Sequence, residues 1–218
     1  MDFNALFQFL EELQDNNHKE WMDANRKRYQ KLRNSFVLWL DELDTRLAQI
    51  DPDYYPTPGK KGVNRINNNL LFHPNKPIYK DHLGAGLDQL TKQGDFYIEI
   101  GISKGALAGG YWRPENKTLQ SIREAIDYNG EELVKIINKK SFKNTFGNLY
   151  AQDDKLKSAP KGYNKDHEHI DLLRYRTFAV TYDLKKEDIL KDDFVDKIIK
   201  IYKEMLPFRR YLRQAVTV

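Results

Sequence analysis

The sequence contains no cysteine. That excludes a disulfide framework, a thiol nucleophile and any cysteine-ligated zinc site, and it suits a reducing compartment. Also missing is any apolar run near the ~20 residues that a bilayer-spanning helix requires. The first thirty residues carry acidic side chains and no uninterrupted apolar core, so no signal peptide is expected. A soluble, cytoplasmic protein with no membrane partner is the expectation. Neither G-x-G-x-x-G nor G-x-x-x-x-G-K-[ST] occurs, which removes the common nucleotide-binding folds. No internal repeat or low-complexity segment is visible. Charge of one sign is scarce too: 36 basic residues face 32 acidic ones, mixed along most of the chain, for a net +4. Duplex binders concentrate Lys and Arg on one element or tail. Nucleic acid is therefore not the expected partner, and a weak attraction to small anions is.

What is present is the composition of a folded domain. Hydrophobic residues make up 40% of the 218 and aromatics 12%, enough for a core beneath a heavily charged surface. A chain of this length buries about 70% of its unfolded surface, so it needs no covalent staple.

Helical spacing dominates the first fifty residues. Phe3, Leu6, Phe7, Leu10 and Leu13 recur three and four apart, the stripe of an amphipathic helix. Asn16 and Asn17 interrupt it, as residues that tolerate turns and cap the next helix. From His18 the pattern resumes through Trp21, Tyr29, Leu32, Phe36, Leu40, Leu43 and Leu47 until Asp51-Pro52, predicting one helix of about 30 residues. Residues 51–62, with Pro52, Pro56, Pro58, Gly59 and Gly62, read as an irregular connection.

Strand signals follow at residues 63–66, 96–102, 106–112 and 177–184, rich in β-branched and aromatic side chains. Phe96, Ile98, Ile100 and Ile102 alternate with Tyr97, Glu99 and Gly101, the period of a half-buried strand. Gly109-Gly110 marks a bulge or a close backbone approach. Helices are predicted again at 115–128, 130–138 and 194–206, with Pro207 ending or kinking the last. The order implies an α+β fold: an N-terminal helix pair, including one long helix, on a mainly antiparallel sheet, with further helices after the strands. A single domain over 1–218 is expected, helical in 1–50 and sheet-containing in 63–218.

Three stretches carry a family resemblance. Residues 16–29 read NNHKEWMDANRKRY, residues 108–126 read AGGYWRPENKTLQSIREAI, and residues 156–180 read LKSAPKGYNKDHEHIDLLRYRTFAV. In that order they resemble the blocks of a mainly bacterial family, domain of unknown function 2461, across nearly the whole chain. The resemblance implies an intracellular α+β domain with recurrent basic and aromatic positions, and no reaction. The family's central block, an Arg-Asp, Arg-Phe-Ser and Lys-x-Pro-Tyr-Lys series, is matched by RINNNLLFHPNKPIYK at residues 65–80. Arg65, Phe72, Lys76, Tyr79 and Lys80 fit it. Asn68, Asn69, Leu71 and His73 stand where the family tends to have Arg, Asp, Arg and Ser, so part of a charged family site is altered here.

The best functional candidate is a basic pocket made of Arg65, Lys76, Lys80, Arg113, Arg123 and Lys161. Several lie beside glycine or proline, where backbone can approach a ligand, and Arg offers a bidentate fork to phosphate or carboxylate. The plainer alternative is that these cations are solvated or paired with the acidic residues. Asp166-His167-Glu168-His169 is the other polar cluster. Two histidines at i and i+2 do not match the i, i+4 spacing of a metal site on one helix face, so no metal is assigned. His167 as a general base oriented by Asp166 or a distant carboxylate is a weaker candidate, with no nucleophile signature beside it. Asn164 or Asp166 is the expected N-cap of a following helix.

Trp21, Phe36 and Trp39 belong to a helical core stripe. Tyr54, Tyr55, Tyr111 and Trp112 lie near basic residues, where bases could stack. The terminal FRRYLRQAV is expected as a packed helix with a solvated basic face. No cofactor follows from any of this. Two functions remain: a protein that binds, or acts on, a small phosphorylated or carboxylated molecule, and a non-catalytic domain that meets a protein or nucleic acid.

Overall fold

The structure is a computed structural model that describes residues 1–89, 95–150 and 154–217. The fold is α+β, as the pattern of elements implied. The chain forms two compact units, each assembled from separated stretches. The first comprises Met1–Gln89, Phe96–Leu107 and Asp183–Ile199; the second includes Ala108–Tyr182 and Lys200–Val218. One antiparallel sheet has the order β1 (His82–Leu87), β2 (Phe96–Gly101), β3 (Gly105–Tyr111), β4 (Phe178–Leu184). Among the described residues no helix is long and apolar enough to cross a membrane.

In the first unit, α1 (Phe3–Asp15) starts where the Asp2 carboxylate accepts the amide of Ala5, a cap worth about 1 kcal/mol. Of its stripe, Leu6, Phe7, Leu10 and Leu13 are within 1% exposure, Phe3 is half-buried, and Phe9, outside the stripe, is buried as well. The long helix expected from His18 is two helices, α2 (Lys19–Ala24) and α3 (Arg26–Ala48). Asn25 breaks it. Its backbone (φ −99°, ψ 10°) leaves helical geometry while its side-chain amide donates to the Trp21 carbonyl at 3.0 Å. The cap of α2 is His18, whose Nδ1 accepts the Trp21 amide, and not Asn16 or Asn17. Asn17 instead brackets Tyr79, donating to its carbonyl at 3.0 Å and accepting its amide at 2.9 Å.

Along α3, Tyr29, Leu32, Phe36, Trp39, Leu40, Leu43 and Leu47 form the buried face. Phe3, Trp39 and Phe194 meet as an aromatic cluster with centroids 5.3–6.0 Å apart. The proline- and glycine-rich connection is fastened by acids. Asp44 accepts the Tyr54 hydroxyl and the Thr57 amide, Asp41 accepts Gly59 N–H at 2.7 Å, and Asp88 accepts Tyr55 N–H at 2.7 Å. The short α4 (Gly59–Gly62) follows.

Residues 63–66 are not a strand. Val63 makes only an isolated bridge to Ala85, and the strand beside it is β1, HLGAGL. That segment has two glycines and no β-branched residue, so its composition gives no strand signal. It is nonetheless buried at five of six positions and pairs from His82↔Gly101 to Leu87↔Phe96. In β2, Phe96, Ile98 and Ile100 point inward as the alternation implied, while Ile102 lies beyond the strand. The short α8 (Lys186–Ile189) completes this unit with the first turns of α9 (Phe194–Thr217).

In the second unit, α5 (Asn116–Asn138) bends at Asn129, where φ is −147°. This is the gap between the two helices that the sequence placed at 115–128 and 130–138. The short α6 (Lys140–Phe146), which lies outside every predicted helix, adds buried Phe142 and Phe146. Gly110 has φ +113°, and a Cβ there would sit 2.2 Å from the Phe178 carbonyl oxygen; one on Gly109 would sit 2.3 Å from Met205 Sδ, so close approach accounts for the glycine pair in β3. α9 runs through Pro207 without ending. Its basic face is not all solvated: Arg209 is 3% exposed, with its guanidinium 5.6 Å from the Tyr202 ring.

Candidate functional site

The second unit contains two open cavities of similar size but opposite character. One, of about 370 Å³, lies along α5 and the end of α9 and includes Ser121, Tyr128, Tyr211, Glu124 and Glu132. Tyr211 donates to the Asn129 carbonyl at 3.3 Å, and burial pushes its phenol up to about 12. Two carboxylates in the lining make this cavity unsuited to an anion.

The other cavity, of about 380 Å³, is polar and is lined by Arg113, Pro114, Asn116, Leu119, Asp154 and Arg176. Arg113 sits just past the end of β3 in the left-handed region, at φ +44°. A non-glycine residue held there is strained, and such strain gathers at functional positions. Thr177 holds it: the Arg113 amide donates to Thr177 Oγ1 at 3.2 Å, and that hydroxyl donates to Asp154 Oδ2 at 3.1 Å. Thr177 is 2% exposed, so the anchor is rigid.

Asp154 is the common counter-ion. Arg113 Nε lies 3.7 Å from its Oδ2 and Arg176 Nη1 lies 3.4 Å from its Oδ1. These are ion-pair distances longer than a tight charge-assisted bond of about 2.7–2.9 Å. Two guanidinium charges against one carboxylate leave a formal excess of one positive charge in the cavity. α5 begins at the same wall, with Asn116 in the lining. Its N-cap, Glu115, makes no side-chain capping bond, and its first turn contains no acid. The partial positive charge of the helix start adds to the arginines, and the carboxylate of its N-cap residue, Glu115, offsets part of it.

Arg123 does not line this cavity but holds the backbone that leads to Arg176. Its Nε donates to the Leu173 carbonyl at 2.9 Å and its Nη2 to the Tyr175 carbonyl at 3.3 Å. Burial lowers its pKa, and the nearby charge of Arg176 adds to that. It therefore fixes the turn after α7 (Ile170–Leu173) that delivers Arg176. Lys161 stands exposed on the Pro160–Tyr163 turn, where Tyr163 N–H donates to the Pro160 carbonyl.

The remaining candidates, Arg65, Lys76 and Lys80, lie together in the first unit. Lys80 Nζ donates to the Arg65 carbonyl at 2.8 Å. Burial lowers the Lys80 pKa, and the charges of Arg65 and Lys76 push the same way against Glu99. At the altered positions, Asn68 closes the base of the loop by donating to the Ile78 and Pro77 carbonyls, while Leu71 and His73 are exposed.

The histidine cluster is arranged as structure. His167 Nε2 lies 2.9 Å from Asp127 Oδ1, so a distant carboxylate, not Asp166, meets it. Its Nδ1 accepts the His169 amide at 2.9 Å, which places the neutral ring's proton on Nε2 and uses the lone pair a base would need. Asn164 accepts the Asp166 amide in a local turn, and α7 is preceded by His169 without a side-chain cap, so neither Asn164 nor Asp166 caps it. The His169 ring lies where a Cβ on Gly130 would be, 2.3 Å away. Among the described residues, no three His, Asp or Glu side chains gather as a metal site.

Arg176 and Asp154, which complete the cavity, were not singled out by sequence. Arg176 lies inside the LLRYRTF stretch of the third family block, which was the signal available for it. A family model described as conserved hypothetical protein (DUF2461) matches residues 5–211. The chain belongs to the DUF2461 family. No curated protein and no solved structure matches it. Both cavities, the histidine cluster and the 65–80 loop all fall within the DUF2461 match; only the end of the α9 wall, at Gln214 and Ala215, lies past it.

Proposed function

We propose that this chain binds a small phosphorylated or carboxylated molecule in the Arg113–Arg176 cavity of its second unit. The supporting observation is that two guanidinium groups and a helix start line one polar space, with a single carboxylate between them. The volume falls in the range of small-molecule sites, about 300–1,000 Å³. Guanidinium groups present planar donors suited to phosphate and carboxylate oxygens. A ligand anion competes with Asp154 for both, and the loose pairing lets it do so. Arg123 acts as a positioning residue. Binding is favoured over turnover, because Asp154, the acid in the lining, is engaged by both arginines and Thr177 and is poorly placed as a base.

Differential scanning fluorimetry against a panel of sugar phosphates, nucleotides, dicarboxylates and matched chloride controls tests this reading. Stabilisation by one phosphorylated or carboxylated class, lost in an Arg113→Met/Arg176→Met variant, supports it. A flat response across the panel opposes it.

A further inference from the structure

The first unit contains a one-signed segment that the anion cavity does not use. Residues 54–80 form the longest stretch of the sequence without an acidic residue, 27 in all, and include Lys60, Lys61, Arg65, Lys76 and Lys80. Within it the chain builds an arm. Ile66 O accepts Lys80 N–H, Asn67 bridges Tyr79, and Asn68 N–H donates to Ile78 O, so two short runs pair and project a loop. Asn17 anchors the base through both backbone groups of Tyr79. Every residue from 69 to 78 is exposed. At the tip stand Leu70, Leu71 at 85% exposure and Phe72 at 72%.

Consecutive large apolar side chains on a projecting loop are held in water at a free-energy cost, and they mark an interaction site. The apolar side chains stand at the exposed end of the arm, with Lys76 in the same loop and Arg65 and Lys80 at its base. An exposed apolar end backed by cations meets a soft, anionic, apolar-cored surface without needing a matching groove: the apolar side chains enter the acyl boundary while Lys and Arg stay among headgroups. We propose that this arm attaches the protein peripherally to an anionic lipid surface. Leu71 and Phe72 enter the interface, Lys76 and Arg65 meet the lipid phosphates, and Lys80 braces the base of the arm through the Arg65 carbonyl. Peripheral attachment of this kind involves no membrane-crossing helix.

Vesicle co-sedimentation of the full chain tests it, using phosphatidylcholine alone and equal parts phosphatidylcholine and phosphatidylserine. The expected result is pelleting with the mixed vesicles only. Leu71→Ser/Phe72→Ser should weaken it about tenfold or more, since two apolar side chains lose their burial. Both positions are exposed, so the variant keeps its fold, and an unchanged melting temperature verifies that. Lys76→Gln should weaken pelleting and flatten its salt dependence. Protein left in the supernatant with mixed vesicles overturns the proposal, as does equal pelleting with phosphatidylcholine alone. So does a Leu71→Ser/Phe72→Ser variant that pellets as wild type, because the cations would then be meeting any polyanion, nucleic acid included.

Discussion

Arg113 and Arg176 meet one carboxylate from two sides, at Asp154 Oδ2 and Oδ1 respectively. The two arginines are 63 positions apart in sequence, yet a single acid sets the charge of the space between them. Replacing it changes that charge without touching either guanidinium. Asp154→Asn should tighten inorganic phosphate binding by about tenfold, the gain from removing one like charge a few ångströms away behind partial screening. Titrations at two ionic strengths check this, and the salt dependence should steepen. Both ion pairs involve arginines more than half exposed, so the loss of stability should stay below about 1 kcal/mol.

Arg123 carries a different prediction. Its guanidinium satisfies the Leu173 and Tyr175 carbonyls from a site only 9% exposed. Arg123→Ala should cost about 2–4 kcal/mol, because two carbonyls lose their donor in a region water reaches poorly. Arg123→Lys should recover only part of that, since one ammonium cannot reproduce the planar fork. Urea denaturation of the three proteins measures both differences.

Asp44 makes stability depend on pH with an uncommon sign. Burial raises its pKa, and the neighbouring charges of Asp41 and Asp88 add to that, outweighing the bonds from Tyr54 and Thr57. In that range the folded state holds a proton that the unfolded state has released. Asp44 therefore contributes a stability that falls as pH rises from the unfolded value, about 3.9, to its higher folded value. Subtracting the pH profile of Asp44→Asn from that of wild type isolates this contribution. The difference should decline across that window and be level above it.

Gly110→Ala should be among the most damaging single substitutions in β3. The backbone angle is one that side-chain-bearing residues rarely adopt, and the new Cβ would meet the Phe178 carbonyl oxygen at 2.2 Å. A loss above about 2 kcal/mol is expected, read as a lowered urea midpoint.

The parts of this fold that were legible in sequence are those where one side chain pattern decides the outcome. Leu6, Leu10 and Leu13 announced α1, and Phe96, Ile98 and Ile100 announced β2, because burial of one face requires that spacing. β1 escaped notice because, between buried Leu83 and Leu87, its burial is achieved by glycine and alanine, and Gly84 and Gly86 offer no pattern to read. The break at Asn25 escaped because the apolar stripe runs through it unchanged. In the site, Arg113 stood out beside its glycines and Pro114. Asp154 and Arg176 did not, since an acid and a base 22 positions apart carry no spacing rule. The turn fastened by Arg123 delivers Arg176, and the Thr177 hydroxyl joins Asp154 to the Arg113 backbone.

The most direct measurement uses Arg113→Gly, which removes a guanidinium and relieves the positive φ in one change. Its melting temperature should stay within a few degrees of wild type, as the lost ion pair is offset by the relaxed backbone. An amide-resolved NMR titration with inorganic phosphate then compares the two proteins. In wild type, saturable shifts should centre on residues 113–119 and 176–177. In Arg113→Gly those shifts should vanish or require at least about tenfold more phosphate, the cost of losing one charge-assisted contact. Equal saturation in the two proteins, or no saturable shift at these amides in wild type, would contradict an anion site between Arg113 and Arg176.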